Sequence, residues 1–213
     1  MRDYTAEEET ADKNTIHAIQ KKSVEDCVIP GTSLKGVLRH RAAYIMRLLG
    51  KSEALLDSLM GYAKDNKHKQ KSRFLVQEAY FHDGVIEKEQ SRNRIDRFTG
   101  VTIDTALFTT KPVWQEQRGE KTVHLHYEIY AWAPWEAGLA LFLLRDLWQG
   151  DVALGGEKSI GRGTLQGIEA RISYEDKKFI LGEQGKVMQG DVKTLEDYAR
   201  ALHEVQDKEV SAS

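Results

Sequence analysis

Ile29-Pro30-Gly31-Thr32-Ser33-Leu34-Lys35-Gly36-Val37-Leu38-Arg39 is the stretch on which the fold reading turns. Beyond the Pro-Gly turn, Leu34, Val37, Leu38, Ala42, Ile45, Leu48 and Leu49 recur at helical spacing, and the run closes at Gly50, a natural C-cap. The pattern predicts an amphipathic helix capped at its first turn by Thr32 or Ser33. The amide N–H groups left over point outward and make an anion site. At about 100° per residue, Lys35, Arg39 and Arg47 share one side. Arg41 falls nearer the apolar stripe, where it snorkels, pairs with a carboxylate or reaches a ligand.

Downstream, Phe74 to Phe81 reads as a strand. A second strand is clearer: Val123, Leu125, Tyr127, Ile129 and Ala131 alternate with His124, His126, Glu128, Tyr130 and Trp132. Between them, residues 83–121 form a long polar excursion carrying Arg92, Arg94, Arg97 and Phe98, expected as an irregular hairpin protruding from the body; loops of that length are usually functional. Trp135 to Gln149 is densely apolar and predicts a helix lying across a sheet, with Pro134 suited to its first turn. A glycine loop, Gly155-Gly156-Glu157-Lys158-Ser159-Ile160-Gly161-Arg162-Gly163, leads into a strand expected from Thr164 to Tyr174. From Asp191, the spacing of Val192, Leu195, Tyr198, Ala199, Leu202 and Val205 predicts a final amphipathic helix.

With one strand placed before the first helix, this order is the βαββαβ order of an α+β, ferredoxin-like fold. Thr15 to Ile19 supplies at most a stub of that opening strand; otherwise the chain begins after it. The expected organisation is a single domain over 1–182, with 83–121 as its insertion, and a helical extension over 183–213.

The 213 residues suffice to bury roughly two-thirds of the unfolded surface. With 30% charged residues, 40% apolar residues and 3 prolines, the chain is neither disordered nor collagen-like. No apolar run approaches the roughly 18 residues of a membrane span, and the polar, acidic start from Met1 to Asn14 has no signal-peptide core. A cytoplasmic protein with no membrane partner is expected. The lone Cys27 forms no intrachain disulfide and no cysteine-rich zinc site, and is expected as buried packing in a reducing compartment. The net charge of −2, from 31 basic and 33 acidic side chains, argues against a DNA coat held by bulk charge. Charge is segregated, however: Ser33 to Lys51 holds five cations and no acid, whereas the first twelve residues hold five acids and one cation, Arg2. A nucleic acid suits the first surface and a partner subunit the second.

The glycine loop is not a nucleotide fingerprint. Gly156 and Gly161 have Walker A spacing, but Arg162-Gly163 follows in place of Lys-Ser/Thr, and Gln166 occupies the third glycine position of a Rossmann motif. What remains is a flexible loop bearing Lys158, Ser159 and Arg162.

Together, the Ile29–Arg39 motif, the Gly155–Gly163 loop and Arg94-Ile95-Asp96-Arg97-Phe98-Thr99-Gly100 between them resemble the RAMP superfamily of CRISPR-associated proteins. The resemblance spans about Asp12 to Arg171 and is closest to the repeated backbone subunit of type III RNA-guided effector complexes. It implies a modified RNA-recognition, ferredoxin-like fold that stacks as a filament along the guide RNA beside neighbouring effector subunits. The excursion would be a thumb that distorts the guide–target duplex. Thr32, Ser33, Lys35 and Arg39 would hold the guide backbone, flanked by Lys158, Ser159, Gly161 and Arg162. Arg92, Arg94 and Arg97 would add phosphate contacts, with Phe98 as a wedge or a structural residue at the thumb base. The resemblance also implies a loop aspartate holding Mg²⁺ for cleavage of the target RNA. The best match is Asp12, with Asp26 a poorer candidate because it abuts the strand entering the motif.

Competing sites are few. His124 and His126, two apart on a strand, are a possible metal pair with no evident third ligand. His17 and His40 qualify as general acid/base groups by location only. Trp132, Trp135 and Trp148 are expected in the core. Three functions follow: a target-RNA endoribonuclease subunit using Asp12, a purely structural guide-binding subunit, and an unrelated metal hydrolase built on His124 and His126.

Overall fold

A computed structural model describes residues 2–3, 14–15, 27–65, 67–81, 84–104, 106–117 and 123–206, the first two pairs as backbone only. The chain divides into two compact units, one of Met1–Ile29 with Ala79–Leu125 and one of Pro30–Glu78 with His126–Ser213. The architecture is α+β.

The second unit is built on four helices: α1 (Gly31–Leu48), α2 (Glu53–Met60), α3 (Pro134–Gln149) and α4 (Val192–Glu204). The periodicity of α1 sends Leu34, Leu38, Ala42, Ile45 and Met46 into the interior. There they join Leu55, Leu56 and Leu59 of α2, Phe74, and Leu139 and Leu143 of α3. Each such leucine contributes on the order of 2 kcal/mol by leaving water. Phe74–Val76 pairs antiparallel with Tyr127–Ile129, and Phe74 stacks on Tyr127 at 5.2 Å. Ala170–Tyr174, Lys177–Leu181 and Val187–Gln189 form a three-stranded antiparallel sheet.

α4, capped by Asp191 through the amides of Lys193 and Thr194, packs closely on α3. The crossing requires Gly138, where a Cβ would lie 2.2 Å from the Tyr198 carbonyl oxygen. Trp135 is buried, as expected of a core tryptophan, whereas Trp132 and Trp148 are only half-buried, Trp132 meeting Tyr174 and Tyr198 edge to face. From the turn after α1, the Lys51 ammonium donates to the carbonyls of His203 and Val205 at 2.8 and 2.6 Å and so ties down the end of α4.

Two buried carboxylates are fully paired. Asp146 of α3, 0% exposed, accepts from Arg41 Nε at 2.7 Å and from Arg145 Nε and Nη2 at 3.1 and 2.9 Å. Of the three fates open to Arg41, pairing with a carboxylate is the one realised. Glu136, 1% exposed, binds Arg73 through both oxygens and also accepts the Ala133 amide at 2.9 Å, closing the first turn of α3 behind Pro134. Losing either partner of such a pair would strand a charge in the interior.

The first unit is mostly one antiparallel ribbon. Val85–Glu87 pairs with Val113–Gln115, and Gln90–Arg92 with Phe108–Thr110, so the excursion is a regular hairpin over much of its length. Val28–Ile29 pairs with Ala79–Tyr80, and Arg2–Asp3 with Asn14–Thr15. Cys27 is buried, its thiol 3.5 Å from Glu87 Oε1.

Several expectations need correction. The strand expected over 74–81 is broken after Val76, because the Gln77 amide bonds the His126 carbonyl and the chain then resumes as Ala79–Tyr80. The strand expected over 123–131 pairs regularly only at Tyr127–Ile129. Residues 164–169 are not a regular strand: the Gly167 amide bonds the Trp148 carbonyl, and pairing begins at Ala170. The opening-strand candidate, residues 15–19, lies outside the described residues beyond Thr15, and the strand leading into α1 is Val28–Ile29. α2 and the Lys177–Gln189 strands were not anticipated.

Candidate nucleic-acid interface

α1 starts two residues earlier than a Thr32 cap requires, and three earlier than a Ser33 cap. Pro30 is the N-cap, and no side chain caps the first turn. Thr32 and Ser33 instead lie within that turn, Thr32 exposed and Ser33 half-buried. Pro30 contributes its carbonyl to the Leu34 amide at 3.0 Å, so the helix is entered without a competing side-chain acceptor over its first amides. Gly31 is needed for close approach: a Cβ there would come within 2.9 Å of the Val76 carbonyl oxygen.

An open cleft of about 470 Å³ lies at this helix end. One wall is Gly31, Thr32 and Lys35; the other includes the 75–78 segment with Glu78, and Glu128 with Tyr130. Burial first, and the nearby Arg39 guanidinium second, push the Lys35 ammonium below its usual range. An arriving anion would offset both effects. Across the cleft, a hydrogen bond to His126 and a second to Tyr130 hold the Glu128 carboxyl below its usual range. The separations are 2.6 Å to His126 Nε2 and 3.0 Å to the Tyr130 hydroxyl. The cleft thus sets N–H donors and an ammonium against a wall of acceptors.

The other anticipated residues divide by what they already hold. Arg39 Nη1 donates to the Gly61 carbonyl at 2.6 Å and Nη2 pairs with Asp57, so this side chain fastens α1 to α2. In the glycine loop Arg162 pairs with Glu157, both largely buried, while Lys158, Ser159 and Gly161 are exposed around a single 3-10 turn, Lys158–Ile160. The loop closes at its base by the Leu154 amide on the Gly163 carbonyl at 2.8 Å; a Cβ at Gly163 would overlap the Leu154 carbonyl. Arg41 Nη2 also lies 3.9 Å from Asp151. The chain entering the glycine loop therefore passes the middle of α1, about 15 Å along the axis from Gly31 at 1.5 Å per residue.

In the first unit, Arg92 donates to Gln90 Oε1 at 2.9 Å, and Arg94 and Arg97 are exposed. Between them Asp96 organises the tip, and Phe98 stands 99% exposed. Asp12 and Asp26 lie outside the described residues, as do the two ends of the excursion, Asp83 and Lys121. Among the described residues no group of three or more His, Cys, Asp or Glu is placed to hold a metal ion. The regular strand excludes both His124 and His126, and His126 is engaged with Glu128. No helix among the described residues is long and apolar enough to cross a membrane.

Sequence reasoning missed Glu128 and Tyr130 as cleft residues. The signal was the alternation that puts His126, Glu128 and Tyr130 on one face, opposite Tyr127 and Ile129.

No curated protein sequence matches the chain. Among solved structures, a chain in the cryo-EM structure of the apo state of type III-B Cmr-beta has a similar fold, with a TM-score of 0.52 and 12% identity over 76% of this chain and 90% of that one. The family model of the RAMP superfamily matches residues 10–166, which takes in both glycine-bearing motifs and the hairpin between them, and the chain belongs to that superfamily.

Proposed function

We propose that the chain is a guide-RNA-binding backbone subunit of a type III CRISPR effector complex, working in the cytoplasm beside neighbouring effector subunits. The observation that carries the reading is the cleft at the start of α1, where the helix enters without a side-chain cap next to Lys35. Helix-terminal amides and an ammonium suit a phosphodiester, and the acceptor wall of Glu78 and Glu128 suits the donors an RNA strand offers, its 2′-hydroxyls and base amino groups. Membership of the superfamily and the fold likeness to a chain of type III-B Cmr-beta support the same reading. On it, the core follows the ferredoxin-like βαββαβ plan as one domain over 1–182, with 183–213 as an extension, and the 83–121 hairpin is the thumb. Thr32, Ser33 and Lys35 contact the guide directly. Lys158, Ser159 and Gly161 add a second contact, and Arg92, Arg94 and Arg97 meet the guide–target duplex. Arg39 and Arg162 shape the loops that carry these groups.

We further propose that Asp12 is the carboxylate that holds Mg²⁺ for cleavage of the guide-paired target RNA. Bound there, the ion would stabilise charge on the attacking 2′-oxygen or the leaving group.

The test is assembly with guide RNA. Lys35→Ala should weaken guide binding and flatten its salt dependence by about 0.7 in log–log slope, one phosphate contact's worth for a single strand. An unaltered slope refutes the cleft assignment. Asp12→Ala should keep guide binding and abolish target cutting; unchanged cutting would remove Asp12 from the chemistry.

A further inference from the structure

We infer that Lys64, Lys67, Lys69 and Lys71, exposed on the hairpin that follows α2, form a second phosphodiester-binding surface, separate from the α1 cleft, that holds the backbone of an RNA strand. The inference rests on the reading of the chain as an RNA-binding subunit.

Lys64-Asp65-Asn66-Lys67-His68-Lys69-Gln70-Lys71 holds four lysines and one acid. All four lysines are exposed, and their ammonium groups have no ion-pair or hydrogen-bond partner among the described residues. The one acid is engaged by its own turn, its side chain 58% exposed. Asp65 Oδ1 accepts the amides of Lys67 and His68 at 2.8 and 2.7 Å, and both carboxylate oxygens face His68 Nδ1 at 3.0 and 2.9 Å. The aspartate thus builds the turn, and the four lysines outnumber it, leaving the segment a net positive charge.

The platform under these lysines is ordered. Tyr62 pairs with Gln70 and Ala63 with Lys69, and the Lys64 amide bonds the His68 carbonyl at 3.0 Å. Its base is fixed to α2 by the Arg73 amide on the Leu59 carbonyl and by Gly61, where a Cβ would lie 2.6 Å from the Gln70 carbonyl oxygen. A pre-ordered surface loses less freedom on binding.

Residue chemistry selects the partner. The eight residues include no apolar side chain, so they cannot supply the dry, aromatic-rich centre of a protein interface, where lysine is depleted. A phosphate track needs cations and nothing apolar. Arg39 connects this surface to the cleft: it bonds the Gly61 carbonyl at the hairpin base and follows Lys35 by one helical turn. A strand gripped at Lys35 is thereby led toward the hairpin.

The experiment measures binding of the full chain to a labelled mixed-sequence single-stranded RNA by anisotropy over a salt series. The variant Lys64→Gln/Lys67→Gln/Lys69→Gln/Lys71→Gln should weaken binding alike for all sequences and lower the slope by about 3; Lys69→Gln/Lys71→Gln alone should lower it by about half as much. An unchanged slope in both variants, with binding still weakened by Lys35→Gln, overturns the hairpin surface and leaves the cleft standing. Absence of RNA binding by the unaltered chain overturns both. A synthetic peptide of residues 1–12, bound by the unaltered chain and lost by the fourfold variant while RNA binding persists, would assign the lysines to an acidic protein partner and overturn the inference.

Discussion

Two turns, one in each unit, are made the same way and differ in what they display beside their cations. Asp65 accepts the amides of the residues two and three ahead, and Asp96 does the same with Phe98 at 2.9 Å and Thr99 at 2.8 Å, adding the Thr99 hydroxyl at 3.0 Å. In both, a short carboxylate replaces a backbone acceptor, which is why aspartate favours such bends. Around Asp65 the side chains are lysines; around Asp96 the exposed Arg94 and Arg97 are interleaved with Ile95, Phe98 and Val101, at 57%, 99% and 64% exposure. One carboxylate settles each bend, and the neighbouring positions are left to display either charge or apolar surface.

The turns differ in attachment, and this gives the largest predicted contrast. Gly61, at φ 74 and ψ 165, sits against the backbone of Gln70 and Ser72, whereas Gly100, at φ 69, has nothing within 4 Å of where a Cβ would be. Gly61→Ala should cost about 3 kcal/mol, combining a backbone region reserved for glycine with overlap against main-chain atoms. Gly100→Ala should cost about 1 kcal/mol, from conformation alone. Thermal unfolding should separate the two by several degrees, and equal shifts would erase the distinction between an anchored and a free turn.

Acid should sharpen what the turns share. The His68 side chain, followed by the His68 and Lys67 amides, lowers the Asp65 carboxyl from 3.8; the Thr99 amide, then the Phe98 amide and the Thr99 hydroxyl, lower Asp96 from the same value. A depressed carboxylate stabilises its turn fully above the ordinary value and gives that up as pH falls through the folded one. The acid titrations followed at the amide resonances of Lys67, Phe98 and Thr99 should therefore have midpoints below pH 3.8. Midpoints at or above that value would refute the shared mechanism.

The smallest effect should come from the most conspicuous side chain. Phe98→Ala should change unfolding free energy by less than about 0.5 kcal/mol, because an exposed ring has no packing to lose. A larger loss in a urea titration would mean that the ring is covered in solution.

α1, α3 and α4 were legible because their apolar residues repeat at 3.6-residue spacing, and the glycine loop because its φ-permissive residues cluster. The strands were less so. Residues 123–131 alternate throughout, yet the regular ladder extends only where Phe74–Val76 lies opposite, and no local signal marks where a partner strand ends. Residues 53–60 carry Leu55, Leu56, Leu59 and Met60 behind Ser52, a helix signature that the length of α1 overshadowed. At the site, Lys35 and Thr32 could be read from the motif. The engagement of Arg39 with Asp57 could not, since it depends on how α2 folds back; that of Arg162 with Glu157, five residues away, left a trace in the opposite charges of one loop.

Lys51 reaches across 152 residues of sequence to the last carbonyls of α4, and α4 in turn shields the bare flank of Gly138. Trimming the chain before residue 192 would free that ammonium beside the joint where α1 passes into α2, and expose a strip of α3 that no side chain covers. The terminal helix lies beyond the 10–166 stretch shared with the superfamily, yet it works as a clasp for the segment that carries the shared motif.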